Sequence, residues 1–209
     1  MTGIPTTKAE AMNQPPKINK SDEEASMNTI FFTDGEFEGR PVRVSRANYL
    51  AFLSMRGEEV PQEVHKLRSL FDEYSSEEIE RDLVILLTAV NWRVHNIACV
   101  FIALGFHSER VLDALWARIR EGSWVFPQLV ATAAFADPDF EKKAKEFLTR
   151  KSIYYKSIVA LGEVLKSQYG VKFWLGKKWF NIRAAKKYDR DNSGAIALGW
   201  SESLRSAIA

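Results

Sequence analysis

The chain has 209 residues, 46% of them apolar, with 29 Lys and Arg against 27 Asp and Glu for a net charge of +2. That length and that supply of core formers suffice for one substantial domain that needs no metal or disulfide to fold. The lone cysteine, Cys99, excludes an intrachain disulfide, and the longest apolar runs, Ile97 to Gly105 and Leu129 to Ala136, are too short to span a bilayer.

The opening residues lack the contiguous apolar stretch of a secretory signal, so a cytoplasmic location with no membrane partner is the expectation. Residues 1–27 are polar, with Pro15-Pro16 and the mixed-charge run Lys20 to Glu24. No apolar period runs through them, and a disordered tail is predicted, with Met27 a candidate second start. Asp34-Gly35 separates two β-type runs, Thr29 to Thr33 and Glu36 to Val44. Both residues tolerate positive φ, so a small hairpin over 28–45 is predicted, placed to cap whatever follows. From Ser45 the apolar spacing becomes helical. Tyr49, Leu50, Phe52 and Leu53 open a helix that Gly57 stops, and Val64, Leu67, Leu70 and Phe71 follow at steps of three and four. Ser75 and Glu78 have the spacing of a capping box ahead of Ile79, Leu83, Leu86, Leu87 and Val90.

Two tryptophan-led segments then resemble each other at a period of 32 residues. Asn91-Trp92-Arg93-Val94 opens an apolar stretch closed by Leu104-Gly105, and Ser123-Trp124-Val125-Phe126 opens one closed by Ala136-Asp137. Each is followed by a more charged helix. Ser108 caps the first of these and Gly122 ends it; Asp137-Pro138 starts the second, with Phe140, Ala144, Phe147 and Leu148 as its buried stripe. A looser third unit runs from Ser152 through Ile158, Leu161 and Leu165 to Gly170. Paired helices at a period in the thirties predict a mainly α fold, an α-solenoid of helical pairs over 28–209 with a small N-terminal β-hairpin. The first copy resembles a HEAT-type repeat, with Asn91, Trp92, Val94, Ala98, Cys99 and Ala103-Leu104-Gly105 in comparable places, although His95 stands where arginine is usual and Ala-Leu-Gly arrives two residues late. The second copy keeps the tryptophan and the small-residue run but not Val-Arg. The resemblance covers about 90 residues and implies architecture rather than activity.

The near-neutral total conceals a step in charge. Residues 1–140 hold 14 Lys/Arg and 21 Asp/Glu, a balance of −7, whereas 141–190 hold 14 Lys/Arg and four acids, a balance of +10. Within the basic part, Val171 to Phe180 interleaves Phe173, Trp174, Trp179 and Phe180 with Lys172, Lys177 and Lys178, and leads into Arg183, Lys186 and Lys187. Cations of this density neutralise phosphates while exposed rings stack on bases. The competing reading packs Phe173, Trp174 and Phe180 into the end of the array and leaves the lysines solvated. Trp92 and Trp124 have two readings as well: a row of partner contacts on one edge, or filling between units.

Asp189, Asp191 and Ser193 follow the first half of a calcium loop, but Trp200 stands where the bidentate glutamate belongs. The alternative is a helix-to-helix turn in which Gly194 takes positive φ and Asp191 caps the next helix. The three histidines, His65, His95 and His107, share no zinc spacing, and no nucleophile or nucleotide motif is present. No cofactor and no catalytic residue is therefore expected.

Small, cysteine-poor helical-repeat chains of this kind resemble bacterial immunity proteins, which occlude a toxin's active site. That resemblance implies a non-enzymatic protein with another protein, a toxin, as partner. The partner-contact candidates are Trp92, Trp124, Lys172, Trp174, Lys177, Lys178, Arg183 and Lys187. The alternative is a nucleic-acid-binding or DNA-repair protein working through 141–190. Helical-repeat DNA glycosylases of the alkylpurine type set tryptophans around a catalytic aspartate on a basic face; no aspartate here aligns with such neighbours, so that resemblance ends at architecture.

Overall fold

The computed structural model describes residues 19–150, 154–174 and 176–209. The chain is mainly helical with a two-stranded antiparallel hairpin near its N-terminus. Helix α1 (Lys20–Met27) starts at Asn19, whose side chain accepts from the Ser21 amide at 3.2 Å. The predicted disordered tail thus loses its last turns to a helix. Ser26 is buried, and Glu23 accepts from Asn91 Nδ2 at 2.7 Å, a tertiary tie that local polarity does not reveal. The rest of that tail, 1–18, lies outside the described residues.

Strands β1 (Phe32–Phe37) and β2 (Arg40–Ser45) pair from Phe32↔Ser45 to Phe37↔Arg40. The turn is Glu38-Gly39, with φ of 51° and 74°, the two left-handed residues that a tight hairpin requires. Asp34-Gly35 is not the turn. It lies inside β1, where Gly35 makes room for Val44 (a Cβ would come within 2.9 Å of its methyls) and Asp34 pairs with Arg43 at 2.9 Å. Most of the hairpin is exposed; its anchor is the stretch before it. Phe31 meets Phe101 edge-on at 5.1 Å, and the Ile30 amide donates to the buried carboxylate of Asp82 at 2.8 Å.

Short helices α2 (Ala51–Ser54), α3 (Val60–Arg68) and α4 (Leu70–Glu73) lead to α5 (Ser76–Thr88), α6 (Trp92–Ala103), α7 (Glu109–Glu121), α8 (Phe126–Ala136), α9 (Phe140–Phe147), α10 (Tyr155–Tyr169), α11 (Lys177–Lys186) and α12 (Ser193–Ile208). Met55, at φ 54°, ends α2 two residues before the predicted stop at Gly57. The capping box forms at α5, with Ser75 N donating to Glu78 Oε2 at 3.0 Å and Glu78 N to Ser75 Oγ at 3.3 Å. Asn91 and Ser108 cap α6 and α7 through their side chains, and Gly105 and Gly122 leave those helices at φ of 118° and 115°. Asp137 does not cap α9, which starts at Phe140 after Asp139. Its carboxylate faces inward and accepts from Trp116 Nε1 at 2.6 Å and from Lys143 at 2.9 Å.

Alternate helices stack in rows, α5 on α7 and α6 on α8 on α10. The inner row carries the core: every residue from Val94 to Ala103 in α6 and from Phe126 to Ala133 in α8 is buried. A helix apolar on all sides must be covered on all sides. Part of that cover is α12, which packs on α8 and α10 and reaches α3. Trp200 Nε1 donates to the Phe52 carbonyl at 2.8 Å, and Arg68 reaches the Ile208 carbonyl at 3.1 Å. The last helix is thus fastened to the beginning of the helical region, a contact beyond nearest neighbours. Among the described residues, no helix is long and apolar enough to cross a membrane.

Candidate functional site

The basic segment folds into an open surface built on α10. Gly170, at φ 65°, ends that helix, and the Val171 amide turns back to the Leu165 carbonyl at 3.1 Å. The chain crosses the surface without helix through Val171–Trp174 and re-enters helix at α11 after Gly176, at φ 98°. Helix α11 settles on α10 where Gly162 presents no side chain; a Cβ there would lie 3.0 Å from Ile182 Cδ1. Asn181 ties α11 to the Leu148 carbonyl at 2.7 Å. Only Ala185 of α11 is fully buried, so its rings are left at the surface. Trp179 stands edge-on to Phe180 at 4.9 Å, Phe180 is 62% exposed and Trp174 is 76% exposed.

Two grooves, of about 560 and 520 Å³, flank the crossing segment and share Val171 to Trp174 as their common wall. The first is lined by Lys166, Trp179 and Arg183, the second by Lys145, Lys177 and Lys178. The acid in the first, Glu163, is ion-paired with Lys186, and Lys145 is held by Glu141. Lys166, Lys172, Lys177, Lys178 and Arg183 form no ion pair among the described residues. Lys172 lies over Trp174 at 6.0 Å and Arg183 over Trp179 at 5.0 Å. The arrangement is able to bind anions and to stack planar groups.

The fold therefore gathers Lys172, Trp174, Lys177, Lys178 and Arg183 into one place. Lys187, exposed at the end of α11, lines neither groove. Lys145, Lys166 and Trp179 complete the site without having been singled out as contacts. The charge step at residue 141 was the signal for the first two, and Trp179 lay inside the aromatic run. Trp92 and Trp124 are elsewhere and differ from each other. Trp92 is half-buried, edge-on to Tyr49 at 5.8 Å with Arg93 over its ring at 5.0 Å, while Trp124 sits in the turn before α8, 71% exposed.

In the calcium-like string the oxygens are already engaged. Asp189 accepts from the Ser193 amide at 2.8 Å and from its hydroxyl at 2.7 Å, which closes the start of α12, and Asp191 pairs with Lys156. The positive φ belongs to Asn192, at 56°, whereas Gly194 is helical and lies against α10, where a Cβ would come 2.3 Å from Glu163 Cγ. The N-cap position is Asn192, and the carboxylate that meets the first helical amide is that of Asp189 rather than Asp191. Among the described residues, no group of three or more His, Cys, Asp or Glu gathers to hold a metal.

The other polar residues of the repeats are internal. His95 Nε2 lies 2.8 Å from the Ala89 carbonyl, which only accepts, so Nε2 carries the proton and Nδ1 accepts from Ser123 Oγ at 2.7 Å. Burial, with the Arg118 charge adding to it, pushes this imidazole down to about 3. Arg118 donates to the Leu87, Thr88 and Gly122 carbonyls at 2.7, 2.6 and 3.2 Å, and burial lowers its pKa too. Burial pushes the Cys99 thiol up to about 12, which leaves it inert. Burial would raise the Asp137 carboxyl, but hydrogen bonds from Lys143, Trp116 and the Asp139 amide together hold it below the usual carboxylate range. Beside Trp116 and only 4% exposed, Asp137 is a structural anion rather than an accessible one. No protein-family model, curated protein or solved structure matches this chain.

Proposed function

We propose that this protein is a non-enzymatic binding protein whose working surface is the pair of grooves around Val171–Trp174 and whose partner is polyanionic. One observation carries the reading: Trp174 and Phe180 stay exposed among cations that have no acidic partners within the described chain. Folding gains little from such rings, and a surface of this kind is the signature of a contact site. The stacked rows α5–α7 and α6–α8–α10 support a HEAT-like helical-pair scaffold beneath it, with α12 as a closing element. Where the partner is a protein, it presents an acidic face to these grooves; occlusion of an acidic toxin surface is the immunity form of this reading.

The test is direct titration of two polyanions, poly-glutamate and a mixed-sequence oligonucleotide, against the protein and its Lys177→Glu/Lys178→Glu double variant. Binding of at least one polyanion that the reversal weakens at least tenfold is the expected result. No measurable affinity for either one sinks the proposal.

A further inference from the structure

We infer that the polyanion is a single-stranded nucleic acid, laid across the ridge between the two grooves with a base stacked on Trp174. The inference rests on the polyanion reading above and narrows it by the chemistry of the side chains present.

The cations that line the grooves are six lysines, Lys145, Lys166, Lys172, Lys177, Lys178 and Lys186, with Arg183 as the sole arginine. Lysine is depleted at protein–protein contact surfaces, where arginine is enriched, whereas lysines neutralise the phosphates of a chain as point charges, without the fixed geometry that arginine forks impose. The rings decide between single strand and duplex. Trp174, 76% exposed, tops the wall common to both grooves, and Phe180, 62% exposed, belongs to α11 beside it. In a duplex the base faces are already stacked on each other and cannot use these rings. In a single strand they are free, and stacking on exposed aromatics is how such strands are held without regard to sequence. A strand crossing the ridge would set phosphates near Lys172 and Arg183 on one side and near Lys177 and Lys178 on the other.

The experiment compares a short oligo-dT, a duplex of equal length and poly-glutamate by fluorescence anisotropy at two salt concentrations. Oligo-dT should bind at least tenfold more tightly than either competitor. With about four phosphates neutralised, its affinity should fall on the order of fifty-fold between roughly 50 and 200 mM salt. Trp174→Ala should weaken oligo-dT about tenfold or more, Trp174→Phe should restore most of that loss, and Trp124→Ala, an exposed tryptophan outside both grooves, should change nothing. Equal or tighter binding of the duplex overturns the single-strand assignment. So does an unchanged affinity in Trp174→Ala. Binding of poly-glutamate alone overturns the nucleic-acid inference while the polyanion reading stands, and binding of none of the three overturns both.

Discussion

Arg118 and Arg183 represent two regions that treat the same chemistry in opposite ways. In the interior of 87–123, the ionisable groups are tied to the backbone and to each other's helices: one guanidinium serves three carbonyls at the helix ends, and one imidazole bridges Ala89 and Ser123. On the surface of 166–187 the guanidinium lies over an indole, with no ion pair among the described residues. The tryptophans divide in the same way. Trp116 and Trp200 are buried with their indole N–H groups bonded, while Trp174 is turned outward. One region is closed on itself and contributes stability. The other is open, and what it offers is contact.

That contrast predicts that substitutions in the two regions fail differently. The largest expected effect is at Arg118: Arg118→Ala leaves the buried Leu87 carbonyl without its donor, strips the Thr88 and Gly122 carbonyls of theirs, and should cost about 3 to 5 kcal/mol in urea unfolding. A loss below about 1 kcal/mol would break the claim that this network holds the interior. Next comes Gly194→Ala, whose new methyl would meet Glu163 near its root, where the side chain cannot swing aside; about 2 kcal/mol is expected from the same measurement.

His95 sharpens the comparison through pH. Its folded value of about 3 lies below the ordinary 6.5, so below that pH the unfolded chain takes up a proton that the folded chain refuses. Its contribution is intact above the unfolded value and is lost as the pH falls toward the folded one, at up to about 1.4 kcal/mol per pH unit. Unfolding measured across this range should show the slope, and His95→Gln should flatten it. The smallest effect is at Trp174. Replacement by alanine should leave stability within about 0.5 kcal/mol of the parent by thermal denaturation, because the ring is not part of the core. A loss comparable to that at Gly194 would mean the ring is structural and would weaken its assignment as a contact.

Features decided by near neighbours were legible in the sequence. Ser75 with Glu78, Asn91, Ser108 and the glycines at 105, 122 and 170 mark their helix ends because capping is a matter of a few adjacent residues. Features decided at a distance were not. Asp34-Gly35 has the composition of a turn, yet Val44 and Arg43 draw it into the strand and the reversal falls at Glu38-Gly39. Asp137 has the context of a cap, yet Trp116, from α7, turns it inward. Helix α1 holds through Asn91, a residue 68 positions away. For the site, the charge step and the aromatic run were visible, but which rings face outward depends on how α11 rests against Gly162. No periodicity records that. The packed-ring alternative holds for Phe173, which packs half-buried against the core, and fails for Trp174 and Phe180.

The bond from Trp200 to the Phe52 carbonyl joins residues 148 positions apart, and its helix covers α8 and α10. During vectorial synthesis on the ribosome, α6, α8 and α10 all emerge before the element that shields them. The half-made chain must carry an uncovered apolar row until α12 arrives, so native closure is a late, non-local event and the nascent state is the one most prone to self-association. Stopping synthesis before residue 193 should therefore yield not a shorter stable protein but a species that depends on chaperones.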